Sequence, residues 1–258
     1  MARTTLVTGV SRRRGIGFAI AQRLLRDQGA RVFAHSYAAY DATQLWGADP
    51  GGIDAVLTGL GADSDRLAHA EADLADPSAP ERLVSHAVER LGTLDALVLN
   101  HARSQPGTVA ELEATTLDLT WAINVRASLL LVRAFAEQYR PHPAGGRIVL
   151  FTSGQHRGPL PAEIPYATTK GALHQITATL ADALAERYSQ STASTPDPPT
   201  PAGPPPNKTR SSPATCPGAG GTPRPKPPTS SHSCYHRKPG LSPAKSWTPR
   251  PGFRRFTP

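Results

Sequence analysis

Cysteine, methionine and aromatic residues are scarce in this chain: two Cys, one Met, and 6% Phe, Trp and Tyr. Cys216 and Cys234 form no CxxC spacing and have no paired His ligands, so neither a disulfide framework nor a thiolate metal site is expected. The N-terminus, Met-Ala-Arg-Thr-Thr-Leu-Val, has no apolar signal core, and no apolar run approaches membrane-spanning length. A soluble, cytoplasmic protein without a membrane partner is the expectation. Acid is missing from one part of the chain above all. Residues 189–258 contain a single acidic residue, Asp197, against ten Lys or Arg, and they hold 18 of the 27 prolines. Proline removes the ladder donor and blocks central strands, and no apolar run there exceeds two residues. That composition excludes a packed sheet and predicts disorder.

The net charge of +8 therefore belongs to the tail. Residues 1–188 carry 18 basic and 19 acidic side chains, so the patterned part is nearly neutral. Nucleic acid is not expected as its partner, although basic excess would ordinarily suggest one.

Within residues 1–188, short apolar runs alternate with helical periodicity. Strands are predicted at Thr4–Val7, Arg31–Ala34, His69–Leu74, Asp95–Leu99 and Arg147–Thr152. Helices are predicted over residues 17–28, 79–91, 117–139 and 166–187. Strands spaced by helices imply an α/β fold, a doubly wound parallel sheet covered on both faces. The stretch from Ser36 to Gly52 has three aromatics and little periodicity; it reads as a surface loop stapled by Trp46, or else as a wall of a ligand crevice.

The first strand runs into Thr-Gly-Val-Ser-Arg-Arg-Arg-Gly-Ile-Gly. Its candidate ligand residues are Gly9, Ser11, Arg12, Arg13, Arg14, Gly15, Ile16 and Gly17. Glycines let backbone approach a pyrophosphate, and the following helix N-terminus offers free N–H groups. Ala34, His35 and Ser36 stand where an NAD site places an acid, and guanidinium forks suit phosphate. NADP is the expected cofactor, with NAD as the alternative. Downstream, Tyr166-Ala-Thr-Thr-Lys170 puts a phenol and an ammonium one helical turn apart, about a dozen residues after Ser153. A nearby cation favours tyrosinate, which suits Tyr166 to acid–base work.

The order of these pieces resembles the short-chain dehydrogenase/reductase family over residues 3–187, with Asp73-Leu74, Asn100-His101-Ala102 and Ile123-Asn124-Val125 completing the set. The closest flavour is that of bacterial 3-oxoacyl-acyl-carrier-protein reductases. The resemblance implies a Rossmann-like domain and hydride transfer between NADP(H) and a small carbonyl or alcohol substrate. It implies Tyr166 as acid or base, and Lys170 on the nicotinamide ribose lowering the tyrosine pKa. It further implies Ser153 orienting the substrate oxygen, Asn124 holding a relay water, Asp73 and Leu74 at the adenine, and Asn100 bracing the crevice. A homotetramer or homodimer built on the long helices is implied as well. Two departures stand out: five residues, Val10–Arg14, separate the first two glycines where the family has fewer, and Arg103 replaces a glycine. His101 reads as a structural loop residue, and His156 as either pocket lining or exposed loop.

The family requires two more strands after the Tyr-Lys helix, which the tail as written cannot supply. Regrouping the tail's codons by one base restores them. Ser189 to Arg210 becomes readable as T-V-N-C-V-N-P-G-P-T-D-T-G-W-A-T-P-E-Q-D-E, and Leu241 to Gly252 as I-T-G-Q-V-L-D-S-E-A-G. The chain therefore divides into an incomplete reductase domain, 1–188, and an out-of-frame tail, 189–258. Two other functions stay open at this point: a catalytically inactive frameshift product, and a protein that binds nucleic acid or acidic surfaces through its tail.

Overall fold

Side chains alternate faces along each strand, and in this protein both faces are apolar. In the computed structural model, which describes residues 3–27, 29–61, 65–140, 145–154 and 158–189, this produces a five-stranded parallel sheet. The strands are β1 (Thr4–Val7), β2 (Arg31–Ser36), β3 (Leu67–Glu71), β4 (Ala96–Leu99) and β5 (Arg147–Leu150), in spatial order β3-β2-β1-β4-β5. The helices are α1 (Ile16–Asp27), α2 (Ala38–Ala42), α3 (Gly52–Leu60), α4 (Ala79–Leu91), α5 (Ala114–Trp121), α6 (Ala127–Gln138) and α7 (Ile164–Ser189). The tail from residue 190 on, with both cysteines, and His156 lie outside the described residues.

Period-two alternation sorts the core. Leu6, Phe33, Leu97 and Leu99 point to one face, where they pack with Leu83, Leu131 and Phe135. Val7, Val32, Ala34 and Val98 point to the other, where they meet Phe18 and Leu25 of α1 and Val56 and Leu60 of α3. The central pairings Leu6↔Phe33 and Leu6↔Leu97 stack these faces in register. Burying both faces is what makes parallel strands read as continuous apolar runs.

The connection from β1 crosses to β2 on one side, while β4 lies on the other, so the order of the sheet reverses between β1 and β4. A crevice forms where the loops after these two strands part, and ligands of open α/β sheets bind there.

Several predicted boundaries are corrected. The fifth strand ends at Leu150, so Ser153 lies three residues beyond it instead of closing it. The third begins at Leu67 and stops before Asp73. The helix predicted over 117–139 begins at Ala114 and is interrupted by a π-helical turn at Ala122–Arg126. Ser36 to Gly52 is not simply loop: it contains α2 and leads into α3, whose Gly52 and Gly59 weaken its helical pattern. The helical run Ala114–Gln138 is long and apolar enough to cross a membrane by length and composition, contrary to expectation; 61% of its apolar window is buried in the domain, as suits the core helix of a soluble fold.

Leu97 is fully buried on the interior strand β4. Leu97→Ala should cost about 2–5 kcal/mol, seen as a lower urea midpoint with an unchanged slope.

Candidate functional site

Thr8, just past β1, ties the ends of β1 and β4 together. Its Oγ1 accepts the backbone N–H groups of Asn100 (3.0 Å) and His101 (3.2 Å). The same hydroxyl donates to His101 Nδ1 at 2.7 Å, and His101 Nε2–H in turn donates to Ile123 O at 3.1 Å. Asn100 Nδ2 closes the junction by donating to the carbonyls of Thr8 (3.1 Å) and Gly9 (3.2 Å). Gly9 has φ +75°, and a Cβ there would lie 2.8 Å from Asn100 Nδ2. Gly17 is tighter still, since its Cβ would sit 2.3 Å from Gly9 O. These two positions need glycine for close backbone approach.

His35, at the end of β2, accepts the Gly9 N–H on Nδ1 (3.3 Å) and donates from Nε2 to Ala72 O (2.9 Å). Burial holds His35 neutral, with its pKa lowered to about 4. Burial likewise lowers His101 to about 3, with smaller contributions from His35 and Lys170. The buried His101 ring thus bridges Thr8 and Ile123.

The longer turn after Gly9 is held by the connection that follows β2. Arg13 donates its backbone N–H (2.9 Å), Nε (3.0 Å) and Nη2 (2.7 Å) to the Asp49 carboxylate, and this drives Asp49 far below the usual carboxylate range. Arg12 Nε pairs with Asp41 at 3.0 Å and its Cζ lies 5.4 Å from the Trp46 ring centroid, while Trp46 Nε1 donates to Asp41 at 2.7 Å. Ser11 Oγ accepts the Tyr37 N–H at 3.0 Å.

A cavity of about 540 Å³ opens between these loops. Of the predicted cofactor residues, Gly9, Ser11, Arg12, Arg14, Gly15, Ile16, Asp73, Leu74 and Asn100 line it. Arg13, Gly17, Tyr166 and Lys170 do not: Arg13 is bound to Asp49, Gly17 is packed beneath Gly9, and Tyr166 and Lys170 are not among the residues that line it. Arg14 is the turn's guanidinium that lines the cavity and has no acid partner among the described residues. Asp73 Oδ1 accepts Ala75 N–H at 2.8 Å, fixing the carboxylate at the cavity wall. Tyr37, Tyr40 and Trp46 line it too, so the segment after β2 is a crevice wall. The only sign of this in the chain was three aromatics in a stretch without periodicity.

A second group forms on α7. Lys170 is 2% exposed and donates from Nζ to Phe151 O at 2.8 Å, with Nζ 5.7 Å from the Tyr166 ring centroid. Burial lowers its pKa to about 8. The Tyr166 phenol is pushed up by burial, then by Glu163 and Tyr40. The expected lowering by Lys170 is not found: the ammonium lies against the ring face and is directed at a carbonyl. Asn124, in the π-helical turn, is fully buried; it accepts Arg103 N–H at 2.7 Å and donates to Arg103 O (3.1 Å) and Thr169 Oγ1 (2.9 Å). It thus links the β4 loop to the helix of Tyr166 and Lys170. Ser153 follows β5 and is half-buried.

The residues present fit a dinucleotide. Glycine backbone that tolerates no Cβ faces a cavity at the switch point, beside the N-terminus of α1, and Arg14 on its wall has no acid partner among the described residues.

The family model described as short chain dehydrogenase matches residues 3–188. An uncharacterized oxidoreductase of Bacillus subtilis (strain 168), YjdA, is 33% identical over 181 residues, which is 70% of this chain and 68% of the relative. A short chain dehydrogenase of Burkholderia cenocepacia J2315, solved in complex with NADP, is 34% identical with a TM-score of 0.60, covering 72% of this chain and 69% of that one. A 3-oxoacyl (acyl-carrier-protein) reductase of Agrobacterium tumefaciens C58 with NADP bound is 28% identical with a TM-score of 0.58, covering 71% and 65% respectively.

The two buried histidines make stability depend on pH. Both are neutral when folded but titrate near about 6.5 when unfolded. The unfolded state therefore gains protons first, and stability should fall as pH drops below about 6.5, by about 1.4 kcal/mol per pH unit for each histidine. The trend should level off once pH passes the folded values near 4 and 3. Urea titrations at pH 7.5, 6 and 5 test this; equal midpoints at all three would contradict it.

Proposed function

The chain belongs to the short-chain dehydrogenase family, and on that premise we propose that it encodes an NADP-dependent oxidoreductase interconverting a small carbonyl compound and its alcohol. The observation that carries this is the pairing of Tyr166 with the buried Lys170 one turn along α7, a helix that Asn124 ties through Thr169 to cavity-lining Arg103. When bound, the nicotinamide would supply or accept the hydride. Gly9, Gly15, Ile16 and Asn100 would hold the pyrophosphate end, Asp73 and Leu74 the adenine, and Arg14 with Arg12 the 2′-phosphate.

Tyr166 moves the proton. Its raised pKa keeps the phenol protonated at neutral pH, which makes it an acid for carbonyl reduction. Ser153 orients the substrate oxygen. Lys170, cationic below about pH 8, binds the ribose side. Asn124 holds the β4 loop and α7 in register. The NADP preference is supported by the two NADP-bound neighbours and by the missing acid after β2. A cytoplasmic location, a dimeric or tetrameric assembly and a 3-oxoacyl thioester substrate follow the resemblance.

We also propose that residues 189–258 are the reductase's own C-terminal part read one base out of frame. The support is codon arithmetic: the regrouped tail yields a Pro-Gly loop and a final Ile-Thr-Gly-Gln strand in the order the family requires. This favours the second reading, that the 258-residue chain itself turns over poorly.

NADPH oxidation with a short 3-oxoacyl thioester should be fast for a frame-restored chain and weak for the 258-residue chain. Equal rates would refute frameshift damage, and no turnover by the restored chain on a ketone panel would refute the reductase assignment. Tyr166→Phe in the restored chain should lower kcat by about 100-fold or more. Alcohol oxidation, which needs the tyrosinate, should rise with pH up to and beyond about 10, while carbonyl reduction holds at neutral pH. Parallel pH profiles in the two directions would remove Tyr166 from the proton step.

A further inference from the structure

Arg103 stands where the family resemblance implies glycine. One side chain holds both of its backbone polar groups: its N–H donates to Asn124 Oδ1 at 2.7 Å, and its carbonyl accepts from Asn124 Nδ2 at 3.1 Å. Arg103 lines the same cavity as Gly9, Gly15 and Asn100. Its Cζ lies 5.7 Å from the Tyr40 ring centroid. Tyr40 is itself fixed, since its hydroxyl accepts Ser104 N–H at 2.8 Å and donates to Ser104 O at 3.1 Å.

The guanidinium is thus immobilised but not neutralised. Its Nη2 donates to Gln105 Oε1 at 3.1 Å, a neutral amide, and no carboxylate pairs with it among the described residues. Its Nε is buried and has no acceptor among them. Arg12 and Arg13 differ, because each has its own aspartate. A buried donor without an acceptor is costly, whereas a fixed planar guanidinium is suited to an oxyanion.

We propose that Arg103 is an oxyanion anchor at the edge of the cleft between the glycine turn and the Tyr166 helix. The oxyanion is either a phosphoryl group of the dinucleotide or an acid group of the substrate. This inference rests on the cavity being the dinucleotide site. Tyr40 acts as the positioning residue, holding the guanidinium plane.

Trp46 lines the same cavity, so tryptophan emission can follow binding to the 258-residue chain. Three probes separate the sources: NADPH, adenosine 2′-monophosphate, and acetoacetate added to the NADPH complex. Arg103→Met removes the charge and keeps the aliphatic stem against Tyr40. It should weaken at least one probe by roughly 10- to 100-fold, the range for a charged hydrogen bond, and Arg103→Lys should recover part of the loss. Weakening of NADPH alone assigns the anchor to the pyrophosphate. Equal weakening of adenosine 2′-monophosphate assigns it to the 2′-phosphate, and weakening of acetoacetate alone assigns it to a substrate acid. Unchanged affinity for all three overturns the anchor, as does a loss that tracks a lowered melting temperature and is not recovered by lysine. If the parent chain binds none of the probes, both the anchor and the dinucleotide site are refuted; if the parent binds and Arg103→Met matches it, only the anchor falls.

Discussion

The cleft depends on how closely two strand ends can approach. Thr8 Oγ1 gathers the backbone N–H groups that follow β4, and Asn100 Nδ2 returns two hydrogen bonds to the carbonyls that follow β1. With Gly9 carrying no side chain, the strands part from a fixed junction, and the glycine turn, α1 and the β4 loop all take their positions from it. His35 and His101 complete the junction from beneath. Each acts as a neutral ring with one donor and one acceptor, which only burial makes dependable.

On this junction the protein builds an unusually charged crevice wall. The longer turn after Gly9 would be loose on its own, but Arg12 and Arg13 are drawn to Asp41 and Asp49 of the segment that follows β2. Ion pairs at the surface contribute little to stability. Here their role is geometric, because they set the turn against a second, aromatic-bearing segment. Arg12, Arg14 and Arg103 all line the cavity, and of these only Arg12 has a carboxylate partner among the described residues.

The Tyr166–Lys170 pair shows how far spacing alone can be carried. One helical turn does bring ammonium and phenol together. Burial, however, acts on both groups: it lowers the lysine and raises the tyrosine, and the ammonium points to Phe151 O. Desolvation penalises the charged form of each group, which lowers an ammonium and raises a phenol.

The amino-acid sequence by itself determined the parallel sheet, because apolar runs separated by helical periodicity have few other ways to be buried. It also determined the family, through the order of the glycine turn, Asn124, Ser153 and the Tyr166–Lys170 pair, and it marked the change of composition near Tyr188. The partners of the arginines were beyond it. Arg13 and Asp49 are 36 positions apart, and Arg103 and Tyr40 are 63 apart, so no local pattern joins them. Nor could spacing show that α2 closes the crevice, that a π-helical turn aims Asn124, or that burial reverses the expected shift at Tyr166. Those outcomes depend on which groups the folded chain removes from water, and only tertiary structure decides that.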